Sequence, residues 1–179
     1  MEIGVGDIWA SMLWPWILSG NYDKATFIEP HPRFALEVQN TFSGNPKIEL
    51  INKAISSVSG ERVEFLDFGQ GSHVRGVNAP HLHDTEKKYS PHTLFMAPTI
   101  TLDEVDDGNY DFVNIDVEGM EATVLEHMVS RPLCLVVETH FYQTYYVTTN
   151  IEQIFERVLG WGYKIQAILG SETVFVRKD

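Results

Sequence analysis

Cysteine is nearly missing from this sequence: the 179 residues contain one, Cys134, which rules out an internal disulfide and fits a reducing compartment. Basic residues are scarce too. Lys and Arg total 13 against 25 Asp and Glu, a net charge of -12, and that field repels nucleic acid and anionic lipid, so neither is an expected partner. No run of about 18 apolar residues occurs, so no membrane-spanning helix is expected. The opening residues, Met1-Glu2-Ile3-Gly4-Val5-Gly6, carry neither a basic stretch nor the apolar core of a signal peptide, which makes the cytoplasm the expected location. Internal repeats, low-complexity tracts and linker-like boundaries are also missing. With 44% hydrophobic residues, the chain reads as one domain over 1–179.

What is present alternates between two periods. Strand-length runs of branched and aromatic residues stand at 26–28, 48–51, 63–65, 112–115, 133–137, 164–168 and 174–176. Helical spacing occupies 8–18, 31–41, 118–129 and 151–159; in the last, Ile151, Ile154, Phe155, Val158 and Leu159 share one face. Strand followed by helix, repeated, predicts a Rossmann-like, doubly wound α/β domain with a mostly parallel sheet. The tail, turning at Gly170-Ser171-Glu172, predicts an antiparallel hairpin closing one edge of that sheet. In the first helix, Trp9, Met12, Leu13, Trp16 and Ile17 have the spacing of a core-facing stripe, and Pro15 is expected to kink or end it.

Two stretches follow neither period. Residues 70–98 hold His73, His81, His83 and His92, and read as a polar lid rather than as a metal site at His81-x-His83. Such a lid would carry Arg75, Lys87 and Lys88 to an acidic site, which suits an acceptor bearing phosphate or carboxylate. Tyr142, Tyr145 and Tyr146 form either an aromatic wall or a core anchor.

Doubly wound sheets bind ligands beyond the carboxyl ends of their strands, so the residues just after each strand decide the chemistry. Gly4 and Gly6 allow a tight turn with exposed backbone; Glu29, with Pro30 after it, stands 23 residues beyond Gly6, where a carboxylate can accept from ribose hydroxyls. Asp7 occupies the place of a pyrophosphate and would repel one. A cationic nucleoside cofactor, S-adenosylmethionine, fits that acidic lining better than NAD does. Asp116 and Glu118 are two apart at a strand end and share a side if extended, whereas Glu121 reads as a first-turn residue of the next helix. Glu138 and His140 close the next strand, and His140 is the imidazole best placed to remove a proton.

Taken in order, Glu2-Ile3-Gly4-Val5-Gly6, Phe27-Ile28-Glu29-Pro30, Asn52-Lys53-Ala54-Ile55, Thr99-Ile100-Thr101-Leu102-Asp103-Glu104, residues 112–121 and Val136-Val137-Glu138 resemble the FkbM-type S-adenosylmethionine-dependent methyltransferases, which have the class I methyltransferase fold. The resemblance implies cofactor contacts from Glu2, Gly4, Gly6 and Glu29, contacts around Asn52 and Ala54 beside the adenine, and Asp116 near the methionine end. It also implies O-methylation of a hydroxyl on a small-molecule or glycan acceptor. Two departures stand out. The first strand starts almost at Met1, and Ile8 replaces a third glycine.

Methyl transfer to an alcohol needs alignment and a base. His140 is the expected base and Asp116 the group that orients the nucleophile or balances the sulfonium. A divalent ion on Asp116 with Glu138 or His140 is the less favoured alternative. Two other functions fit fewer of the residues: an interaction module of the same fold without turnover, and an NAD-dependent oxidoreductase.

Overall fold

The computed structural model describes residues 1–77, 93–141 and 151–178. The middle strands are apolar on both faces, which requires cover from both sides. In β2 (Ala25–Ile28) all four side chains are buried, and its one polar group, Thr26, reaches the Tyr110 hydroxyl at 2.8 Å. Around it lie β1 (Glu2–Ile3), β3 (Ile48–Ile51), β8 (Phe112–Ile115) and β9 (Cys134–Glu138), all parallel, then β10 (Tyr163–Leu169) and β11 (Glu172–Arg177) as an antiparallel hairpin. The spatial order is β10-β11-β9-β8-β1-β2-β3, which is the expected mostly parallel sheet with its late hairpin. Strand order reverses between β1 and β8, and a ligand crevice opens at that switch.

Helices cover both faces. Ala25 and Phe27 pack with Ile8, Leu13 of the lead-in to α1 (Trp14–Ser19) and Val38 of α2 (Pro32–Thr41). On the other face Ile28, Val113, Ile115 and Val137 pack with Val124 and Leu125 of α3 (Glu121–Glu126) and Ile154 and Val158 of α4 (Ile151–Gly160). Leu102, from the Thr-x-Leu-Asp-Glu stretch, is fully buried in this second core. Among the described residues no helix is long and apolar enough to cross a membrane.

Several expectations are corrected. The helix expected over 8–18 is a 3-10 turn at Ile8–Ala10 followed by the separate α1. The interruption has a cause: the Met12 N–H donates to Glu2 Oε1 at 2.9 Å and the Ser11 hydroxyl bonds Glu2 Oε2, so these groups leave the helical ladder. Pro15 accordingly sits in the first turn of α1, where a missing N–H costs nothing, instead of kinking a longer helix. The core stripe breaks with it: Leu13 is buried, but Trp9 and Trp16 are 68% and 50% exposed. The helix expected over 118–129 is confined to α3, because Glu118 and Gly119 have φ of 52° and 99° and cannot join it.

A second sheet was not expected. Its order is β4-β7-β5-β6, from β4 (Ala54–Ile55), β5 (Arg62–Leu66), β6 (His73–Val74) and β7 (Leu94–Ile100). β5 and β7 are antiparallel, with Phe65 opposite Phe95 and the rings stacked 4.9 Å apart. The 63–65 run is thus a strand outside the main sheet. The flanks of the stretch read as a lid, 70–98, belong to this sheet or to the 3-10 turn Gly69–Gly71, so Arg75 and His73 sit in structured backbone. His81, His83, Lys87, Lys88 and His92 lie outside the described residues, as do Tyr142, Tyr145 and Tyr146.

Candidate active site

The turn after β1 is built around two backbone constraints. Gly4 has φ +79°, and a Cβ there would stand 1.6 Å from the Asp116 carbonyl oxygen; Gly6 has φ +54°. Glycine tolerates both features and other residues do not. The carboxylate of Glu29, at the end of β2, clasps this turn: Oε2 accepts from Val5 N at 2.8 Å and Gly6 N at 3.0 Å, while Oε1 accepts from His31 N at 2.7 Å. Burial pushes the Glu29 carboxyl above its ordinary range, against the pull of these backbone donors. A carboxylate offers about four acceptor positions, so roughly one is left for a ligand.

Glu2, Gly4, Gly6, Glu29, Pro30, Ala54 and Asp116 line one cavity of about 320 Å³, inside the range of small-molecule sites. The sequence expectations that converge most tightly are therefore brought together. Glu2 is the most internal of them: its two oxygens serve Met12 N and the Ser11 hydroxyl, and burial raises its pKa. Asn52 stands behind the wall, its amide donating to the Glu29 carbonyl at 2.7 Å and bracing the strand end. Asp7 caps the 3-10 turn by accepting from Trp9 N at 3.0 Å and also lines the cavity.

Beyond the ends of β8 and β9 three carboxyl groups converge. Asp116, Glu118 and Glu138 each place an oxygen within 4.8 Å of the others, a set that could hold a cation. Of the expected metal ligands, this set includes Asp116 and Glu138, with Glu118 in the place given to His140. Burial, then the Glu118 charge, raises Asp116 to about 7; burial, then the Asp116 charge, raises Glu138 further. Asp116 and Glu138 therefore retain a proton near neutrality and titrate as a pair. Glu172, directly opposite Glu138 across the β9–β11 ladder, adds a fourth carboxyl and lines the cavity. His140, with φ 48°, places Nε2 3.0 Å from Glu138 Oε1. Neither His140 nor Glu138 is among the lining residues; the pair stands behind Asp116 and Glu118, which are.

Sequence reasoning missed several lining residues: His31, Phe34, Phe65, Phe95, Gln70 and Ser72. His31 and Phe34 follow Glu29 closely and belong to the same strand-end signal. Phe65 and Phe95 come from the second sheet, whose existence the pattern did not disclose; Gln70 and Ser72 come from the turn between β5 and β6, inside the stretch expected to form a lid. Glu121 stands in the first turn of α3 as expected, but it is also fully buried, with Oε1 accepting from Gly119 N at 3.0 Å and Val117 N at 3.3 Å. It fixes the bend that carries Glu118.

A sequence profile of the methyltransferase FkbM domain matches residues 8–165. No curated protein matches the chain. Among solved structures it is similar to the crystal structure of the selenomethionine-substituted CurJ carbon methyltransferase, with 11% sequence identity and a TM-score of 0.44. That similarity covers 98% of this chain and 46% of the other, so the chain spans less than half the length of that structure.

Proposed function

The chain belongs to the methyltransferase FkbM domain family, and we propose that it transfers a methyl group from S-adenosylmethionine to a hydroxyl oxygen of a small molecule or sugar. The observation that carries this reading is the position of Glu29. Its carboxylate closes the glycine turn at the strand-order switch and borders a cavity that Asp116 and Glu118 also line. A nucleoside held there by its sugar directs its other end toward the carboxyl cluster.

The donor set fits the cofactor. Gly4 and Gly6 present bare backbone, and Glu29 keeps an acceptor position for a ribose hydroxyl. Ala54 and Pro30 offer apolar surface to the base. S-adenosylmethionine supplies an electrophilic methyl group on a positively charged sulfur. The protein's part is alignment, worth up to roughly 7–11 kcal/mol of barrier, and removal of the acceptor's proton.

Asp116 is the cavity-facing candidate for that proton, since a carboxyl raised to about 7 is half-ionised near neutral pH. Glu138 and His140 stand behind it and accommodate the charge that Asp116 gains and loses. In this reading His140 contributes to proton removal through Glu138, in series with Asp116. A divalent ion on Asp116, Glu118 and Glu138 would serve the same end by acidifying the hydroxyl. An acceptor that is neither nucleic acid nor membrane belongs to the same proposal, on the ground of the -12 net charge, as does the cytoplasmic location expected from the opening residues.

Calorimetry with S-adenosylmethionine and S-adenosylhomocysteine, followed by mass spectrometry of a hydroxyl-acceptor panel, tests it. Saturable one-to-one binding of both and a methylated alcohol are expected. Binding of neither at millimolar concentration overturns the cofactor; methylation at carbon alone overturns the oxygen acceptor.

A further inference from the structure

We propose that the turn at 67–72 roofs the methyl-donor cleft and that His31 latches it through Asp67, which makes His31 a positioning residue for the donor. The inference rests on the cofactor reading above and adds a wall and a latch to it.

The turn joins β5 to β6. Its 3-10 segment, Gly69–Gly71, and Ser72 line the cavity. A Cβ on Gly6 would meet Gln70 Cγ at 3.5 Å, and a Cβ on Gly71 would lie 3.9 Å from Glu118 Oε1. The turn therefore stretches from the glycine loop to the carboxyl cluster, the two ends between which the donor is held.

Asp67 organises this roof. Its Oδ1 accepts from Gly69 N at 2.9 Å and from the Ser72 hydroxyl at 3.4 Å; its Oδ2 accepts from the Thr93 hydroxyl at 3.1 Å. The same Oδ1 lies 3.4 Å from His31 Nε2, on the opposite wall. His31 in turn donates its backbone N–H to Glu29 and accepts at Nδ1 from Arg33 N at 3.2 Å, capping α2. An Nδ1 that accepts carries no proton, so the neutral ring has its proton on Nε2, on the side of Asp67. The ring packs between Phe34 and Phe95, with centroids 4.8 Å from each. With 8% of its surface exposed, His31 makes this contact out of bulk water, where an exposed pair would be worth little. One residue thus ties the sugar-binding carboxylate, the first turn of α2 and the roof together.

The test measures S-adenosylhomocysteine binding, by calorimetry and by stopped-flow release, to the wild type, His31→Asn, Asp67→Asn and the double variant. Asparagine at 31 keeps an acceptor for the Arg33 N–H but is too short to meet Asp67, which separates cap from latch. Each single variant is expected to raise Kd by about tenfold, mainly through faster release. The double variant is expected to bind no more weakly than the weaker single, with the ligand-free melting temperature little changed. Unchanged affinity and release in both single variants overturn the latch. So do losses that multiply in the double variant, or losses that follow a fall in the ligand-free melting temperature. Failure of the wild type to bind is a separate result: it overturns the donor reading, and the latch with it.

Discussion

Gly4 is pressed against the main chain of Asp116, so closely that a Cβ on Gly4 would stand 1.6 Å from the Asp116 carbonyl oxygen. β1 and β8 are neighbours at the strand-order switch, and Asp116 N donates to the Ile3 carbonyl at 2.9 Å, which locks the two strand ends together. The floor of the cleft is this contact. It explains why an otherwise weak glycine signal marks the site.

Gly4→Ala is expected to cost about 3 kcal/mol or more in urea unfolding, because positive φ and a backbone clash coincide. Gly20→Ala, at φ +68° with nothing within 4 Å, is the control and is expected to cost about 1–2 kcal/mol. Equal costs at the two positions would show that the contact with Asp116 is not tight.

Glu29→Ala is expected to weaken S-adenosylhomocysteine binding by about 1.5–3 kcal/mol, the range of charged hydrogen bonds. Because Glu29 also holds Val5 N and Gly6 N, the variant should lose thermal stability as well. Calorimetry and melting curves on the same sample check both. A variant that binds like the wild type would remove Glu29 from the site.

The position of Glu29 beside the glycine turn was readable in the sequence, where a carboxylate follows a strand 23 residues beyond Gly6. So was the parallel sheet, because strand-length runs such as 26–28 and 112–115 are each followed by a stretch of helical spacing. What escaped was long-range pairing. The alternation at Val63 and Phe65 declares a strand but not its partner, and Pro98 disguised β7 as loop. The break in the first helix escaped for a related reason: it depends on Glu2 capturing Met12 N, a contact between residues that no local pattern joins.

Asp116→Asn is expected to remove turnover and to change stability in a pH-dependent way. The folded carboxyl is raised from 3.8 to about 7, so the native state holds its proton more tightly than the unfolded chain. Stability from this group is present below about pH 4 and is lost as pH rises through about 7. The Asn variant, which does not titrate, should therefore melt above the wild type at pH 8, by roughly 2–4 °C for each kcal/mol relieved, with the gap closing toward pH 4. Wild-type methyl transfer should rise through about pH 7 as Asp116 becomes a competent base. A turnover profile flat across that interval would contradict the assignment.

Glu121→Gln is expected to fold as well as the wild type or better, since the amide oxygen can still accept from Val117 N and Gly119 N. Burial raises the Glu121 carboxyl, so the gain over wild type should grow with rising pH. Glu121→Leu leaves both N–H groups without that acceptor and should cost about 1–3 kcal/mol. Urea unfolding at pH 5 and pH 8 measures it, and a harmless Leu substitution would reduce Glu121 to a first-turn preference.

The most direct test of the whole account is a crystal structure with S-adenosylhomocysteine. The expected result has a ribose hydroxyl about 2.5–3.0 Å from the Glu29 carboxylate and the sulfur turned toward Asp116. A nucleoside bound elsewhere, or one in this cavity that leaves Glu29 engaged only with Val5, Gly6 and His31, would contradict it.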